Sequence, residues 1–436
     1  MSPATRGVVV VLAGLGLTVA LSSLFVWVLI GAELLAPLSA GGAYGWSVRQ
    51  LSVPFALACG AFVAAMIVGG VLQDRLGPRW PSTAGGVLIG LGMVLASMSG
   101  ERLTQTSSLG SVLVLGLGFM VGSGAGLTLA STIPPAVKWS APRHRGMVMG
   151  VVLSGLAVAP AWVNASLVAY IRARGVALVL LIQGVALLGV IVVLSQLLED
   201  PLLGYVPPGS YSDADGVSAS PVPWTGLTWR LMVRTSTFRA LWASAVLLSG
   251  ASASLLILNV LSPASYLPDG SAGGLAIALC GSAGGIVAGL LYDRIGQRAP
   301  WPVFAFLVAI LATAAALDRS GLVKAASYLT AAGFVGTLVA AWVCTSACFG
   351  TRSAGTNFGL VFTGWSLGFV AGALCAVGVA GSTAGSFASS ATMTVAAVVF
   401  FLGLVGAVLI AGQVRPHSPR LAAESGLRSQ KSRVRR

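Results

Sequence analysis

The sequence predicts an all-α polytopic membrane protein, with about twelve transmembrane helices in two parallel six-helix repeats. Three observations predict it. Only 8% of the 436 residues are charged and the mean hydropathy is +0.92, whereas soluble domains carry about a quarter charged residues. Apolar blocks at 51–72, 176–198 and 392–412 each exceed the ~20 residues that cross the hydrocarbon layer as a helix. They also lack the alternation of barrel strands. Finally, an unusual polar turn occurs twice, as GGVLQDRLGPRW at 69–80 and as AGLLYDRIGQRAPW at 288–301.

Cutting the apolar blocks at charges and at Pro/Gly clusters gives spans one to twelve. They lie at about 7–32, 50–72, 83–99, 110–136, 146–170, 176–198, 238–261, 271–292, 301–317, 322–349, 356–379 and 390–412. The first run is too long for the apolar core of a signal peptide, so it is a span. RARG (172–175) predicts a tight hairpin between spans five and six. The domains follow: an N-terminal bundle (1–198), a connector (199–237), a C-terminal bundle (238–412) and a basic tail (413–436).

Charge tests the count. With both termini in the cytoplasm of an inner-membrane protein, the outer loops hold only Arg49, Arg102, Arg172, Arg174, Arg319 and Lys324. The remaining 19 of 25 basic residues lie inside, as the positive-inside rule requires. The net charge of +14 therefore orients helices and attracts lipid headgroups, and no nucleic-acid partner is expected. The connector starts with EDPLLGY, which reads as a flexible linker. It ends with TWRLMVRTSTFRALW, which reads as a short amphipathic segment on the inner surface. The five cysteines all fall in apolar spans, where neither a disulfide nor a zinc site is expected. No metal, cofactor or enzymatic cluster is expected, and the chain reads as a monomer.

The two polar turns align at a constant offset. Gly70, Asp74, Arg75, Gly77 and Arg79 match Gly289, Asp293, Arg294, Gly296 and Arg298. Each follows the second span of its half, so both lie on one side of the membrane. That arrangement is a parallel repeat about an axis along the membrane normal. The glycine allows close helix approach. The carboxylate can meet the positive N-terminus of a facing helix or an arginine. Such a cluster can latch two halves together in one conformation and release them in another; the alternative is a solvated orienting loop.

The G-x-x-x-D-R-x-G-x-R loop, echoed in the second half, resembles the signature loop of the major facilitator superfamily. RHRGMVMG (143–150) resembles that family's R-G-x-x-x-G element and adds Arg145 to the latch. The resemblance implies a secondary transporter that rocks two halves about a central passage. Within that superfamily, GWSVRQLSVPFAL (45–57), GSGAGLTLASTIPPAVKWSAPRHRG (122–146) and TNFGLVFTGWSLGFVAG (356–372) resemble the oxalate–formate antiporter and monocarboxylate transporter branch. That implies a small organic acid, such as a monocarboxylate, as substrate.

The departures narrow this. Where the branch carries an arginine in span eight, and its oxalate–formate subfamily a lysine in span eleven, this chain has Gly285 and Trp365. No Lys or Arg falls in a predicted span core, which argues against a dianion. No mid-membrane Asp, Glu or His supports a carboxylate proton relay. Glu33 reads as a water-exposed surface acid. The passage is then neutral, with Trp27, Asn164, Asn259 and Trp365 as candidate substrate-binding residues. Each asparagine needs a partner in hydrocarbon, and a neighbouring helix would serve as well as a substrate. GSGAG (122–126) lacks the Lys-Ser/Thr of a phosphate loop and reads as close helix packing. Pro134, Pro135, Pro160 and Pro263 are expected to break or kink helices. The rival functions are export of a neutral or amphiphilic compound and ligand sensing without transport.

Overall fold

A chain in lipid must satisfy its own backbone N–H and C=O groups, and helices dominate the computed structural model accordingly. It describes residues 2–35, 46, 48–98, 112–162, 165–202, 205, 207, 226–261, 271–296 and 320–382. Span one runs as Pro3–Ser22 and Trp27–Leu35, joined by a 3-10 turn, Ser23–Val26. Spans two and three are Val48–Leu76 and Arg79–Ser97. Span four begins as a π-helical stretch, Val114–Val121, and continues as Gly122–Trp139. Span five is Arg145–Ser154, a 3-10 turn, Ala159–Trp162 and Ala165–Arg174. Span six is Val176–Gln196. In the second half, Ser236–Leu261, Ser271–Ile295, Ser320–Phe349 and Ala354–Ser382 form spans seven, eight, ten and eleven. Spans nine and twelve and the basic tail lie outside the described residues.

Eight helices among the described residues are long and apolar enough to cross a membrane. Their outward faces suit lipid: span six exposes Leu181, Ile182, Val185, Val190 and Val193. A water-soluble protein seldom shows so continuous an apolar face. Packing repeats between the halves. Span two packs on four as eight packs on ten; span one packs on five as seven packs on eleven. Among the described residues, smaller pairings join five with ten and four with eleven, and the two largest between the halves are two with eleven and five with eight. Each is the image of the other under the repeat.

Glycine ends several spans where the backbone must turn. Gly77 and Gly296, the matched glycines of the two polar turns, have φ of 83° and 91°. An L side chain rarely adopts that region. Gly175, with φ of 81°, closes the expected five–six hairpin.

Some expectations are corrected. Pro134 and Pro135 do not end span four; the helix runs through both. Its residues from 128 to 140 are buried by neighbouring helices, and Ser131 and Thr132 donate to the carbonyls four residues back. Pro160 does follow a distorted turn, Gly155–Val158, while Pro263 lies outside the described residues. The connector's start is not a free linker. Glu199 and Asp200 are tied to spans three and four, and the Tyr205 ring meets Trp139 in a tilted contact at 4.7 Å. Its end docks too: Leu227 N–H donates to the Phe349 carbonyl at 2.9 Å, and the helical segment there is only Trp229–Met232. Glu33 is no solvated acid. It pairs with Arg172 at 2.8 Å, and its side chain is 18% exposed.

Candidate functional site

The two polar turns do the same thing at the two seams between the halves. Span eleven starts at Ala354, and the first amides of any helix have no partner within it. Asp74 supplies one. Its Oδ1 accepts from Gly355 N–H at 3.0 Å, and its Oδ2 accepts from Thr356 N–H at 2.9 Å and Thr356 Oγ1 at 2.7 Å. Span five starts at Arg145, and Asp293 serves it. Its two oxygens accept from Gly146 N–H and Met147 N–H, each at 2.8 Å. Each carboxylate also meets the positive end of a helix dipole.

The glycine four residues before each acid explains the spacing. Residues i and i+4 share a helix face. Gly70 packs against Gly355, and Gly289 against Gly146, backbone to backbone; a Cβ at any of these four would overlap the facing chain. With the glycines in contact, the acid one turn on reaches the amides. The receiving helices share a pattern of their own, R-G-x-x-x-G at 145–150 and A-G-x-x-x-G at 354–359. Gly150 and Gly359 each face backbone of the opposite half, at Gly285 and Met66.

The other expected latch residues are placed less uniformly. Arg79 turns back to its own half, donating from Nε to the Leu198 carbonyl at 2.9 Å and pairing with Glu199 at 3.2 Å. Arg75 and Arg294 are exposed. Arg145 lies beside Tyr292, and its Nε is buried without a hydrogen-bond partner. Arg298 lies outside the described residues. Four residues without an expected role join the first seam: Gln73, Lys138, Glu199 and Asp200. Lys138 Nζ donates to Asp200 Oδ2, Gln73 Nε2 donates to Asp200 at 3.3 Å, and Trp139 Nε1 donates to the Glu199 carbonyl at 2.7 Å.

The candidate pathway residues divide. Trp365 stands in an aromatic cluster on spans ten and eleven. Its ring centroid lies 5.1 Å from Phe334, 5.2 Å from Phe362 and 5.7 Å from Phe369. Phe62 of span two meets the cluster at Phe362, 5.6 Å away, so the cluster borders the seam. The Trp365 indole N–H is buried without a hydrogen-bond partner among the described residues. Trp27 is partly buried against the hydrophobic core. It follows a break in span one that its neighbours fasten, with Trp162 Nε1 donating to Ser22 Oγ at 2.9 Å and Gln183 Nε2 to the Ser23 carbonyl at 2.7 Å. Asn164 and the side chain of Asn259 lie outside the described residues. GSGAG packs as expected, with Gly122, Gly124 and Gly126 against the backbones of Ala58, Gly85 and Phe62.

Comparison with known proteins agrees with this geometry. The profile of the Major Facilitator Superfamily matches residues 7–373. An uncharacterized MFS-type transporter of Escherichia coli K12, YhjX, is 24% identical over 363 residues, 80% of this chain and 83% of that one. Rat monocarboxylate transporter 13 is 35% identical over 91 residues, only 21% of this chain and 19% of that transporter. The proton:xylose symporter XylE superposes with a TM-score of 0.63 at 16% identity, over 94% of this chain and 95% of that one. A match spanning most of both halves, on a duplicated bundle with a paired acid at each seam, places this chain in the Major Facilitator Superfamily, a family of membrane transporters and not of enzymes.

Proposed function

We propose that the protein carries a small organic acid with a single carboxylate, by rocking its halves between states open to either side. The observation that carries the rocking is the paired contact of Asp74 and Asp293 with helix ends of the opposite half. Both contacts cross between the halves and both can be undone without unfolding either half. The abundance of basic residues on that side supports reading it as cytoplasmic.

Two points support the substrate class. The partial similarity to a monocarboxylate transporter favours a carboxylate. Trp365 offers an unpaired indole donor in an aromatic wall, which suits one carboxylate or carbonyl oxygen and an apolar body. A dianion would need more positive charge. The aromatic wall also favours a second reading, export of a neutral amphiphile.

Uptake of radiolabelled short monocarboxylates into proteoliposomes tests the proposal. Saturable uptake that an excess of unlabelled monocarboxylate suppresses is expected. Flux of an amphiphile without flux of the acid would favour the second reading, and ligand binding without flux of either would defeat both.

A further inference from the structure

The first latch is joined to a charged cluster that the second lacks among the described residues. Around Asp200 lie Lys138 from span four, Asp74 and Gln73 from span two, its neighbour Glu199, and Arg79 and Arg6, which reach Glu199. Lys138 is 3% exposed at its side chain. Two oxygens here are buried without a hydrogen-bond donor, Asp200 Oδ1 and Gln73 Oε1, and Gln73 is 1% exposed. Leaving such acceptors unpaired is costly. Gln73 also reports on the seam. Its Oε1 and Asp74 Oδ1 both crowd the bare Cα of Gly355, where a Cβ would stand 2.5 and 3.1 Å from them.

We propose that Asp200 is a proton-binding site that holds the spans two–eleven seam sealed, with the proton on its unpaired Oδ1. The proton forms an O–H bond there and leaves Asp200 neutral. Lys138 then remains as the cation beside Asp74, whose charge it shares in the field of the span eleven N-terminus. Burial pushes the Asp200 carboxyl above its ordinary range; Lys138 opposes this, and the neighbouring Asp74 charge adds to it. When the seam opens, Gly355 leaves Gln73 and Asp74, water reaches the cluster, and the carboxyl of Asp200 falls back toward its ordinary value. Protons bind the state in which the carboxyl is held higher. Acid therefore favours the sealed state, and alkali on that face favours opening. This makes the loop end responsive to the pH it faces, independently of any proton carried with substrate.

The proposal rests on the rocking reading, and one experiment separates the two. Spin labels on cysteines placed at exposed Leu76 and Arg352, in a background without the native cysteines, report the width of the seam in proteoliposomes from pH 5 to 8. Two distance populations are expected, with the wider one rising about tenfold for each unit by which the Asp200 carboxyl differs between states. Asp200→Asn should remove the pH dependence and keep the narrow population. Lys138→Gln should move the midpoint to higher pH, because the opposing cation is gone; it decides the matter if Asp200→Asn does not fold. Two populations whose ratio ignores pH, or a Lys138→Gln midpoint that does not move, would overturn the proton site alone. A single distance under all conditions would overturn the rocking itself.

Discussion

Spans five and eight meet along small residues at every level. Gly146 and Gly150 lie on Gly289 and Gly285, Ser282 Oγ donates to the Ser154 carbonyl at 3.1 Å, and Gly281 faces Ala157. Spans two and eleven start alike, with Gly70 on Gly355, and then diverge. The next levels are Met66 against Gly359 and Phe62 against Phe362, where the aromatic cluster begins. The repeat therefore keeps the contact between acid and helix start and varies the seam above it. Small residues let backbones touch along a line and leave little room for anything else. Large rings hold helices apart and shape a wall. One seam suits a pivot and the other a passage lining.

Substitutions sharpen that contrast. The largest effect is expected from Gly289→Ala. The added methyl meets the Gly146 carbonyl, and neither helix can yield without parting the whole seam. Overpacking of this kind costs ~1–3 kcal/mol, so transport should fall more than tenfold, with a lower melting temperature. Next come the acids. Asp74→Asn loses charge against three donors and Asp293→Asn against two. An asparagine oxygen can still accept, so only the charge-assisted part is lost, about 1–2 kcal/mol in all, and Asp74→Asn should shift the seam further open than Asp293→Asn, as read by distance between labels at the loop end. An equal shift at both would contradict the difference in bonding.

Thr356→Val removes only the hydroxyl bond to Asp74. It should bring the two latches to parity at a cost of ~1 kcal/mol, visible as equal effects of the two acid substitutions in that background. A smaller and more local change is expected at Trp365→Phe. The lost N–H has no partner among the described residues, so stability should hold while KM for the carried acid rises several-fold. An unchanged KM would remove Trp365 from the pathway. Arg75→Gln, at an exposed position, should stay within about 0.5 kcal/mol of wild type.

Much of this is legible in the sequence. The span pattern follows from composition, because lipid permits few alternatives to a helix. Asp74 and Asp293 stood out because an acid recurring in an apolar chain needs a reason. Their receivers, Gly355–Thr356 and Gly146–Met147, were harder to find. A helix N-terminus carries its donors in the backbone, which no residue type announces, although the G-x-x-x-G spacing shared by 146–150 and 355–359 was a usable sign. The docking of Glu199 and Asp200 was hidden by the Pro/Gly-rich tract that follows them. Local composition there suggests a linker, and only the fold brings Lys138 and Arg79 alongside. Glu33 misled for the same reason, since its partner Arg172 is far away in sequence.

The exchange of carboxylates has a consequence for how such a molecule can be assembled. Each half brings one plug and one socket: Asp74 with the start of span five in the first, Asp293 with the start of span eleven in the second. At this contact alone, a half is therefore complementary to its own copy as well as to its sibling. Two identical six-helix subunits could form this same pair of contacts about a twofold axis, while only unlike halves give one small-residue seam and one aromatic seam.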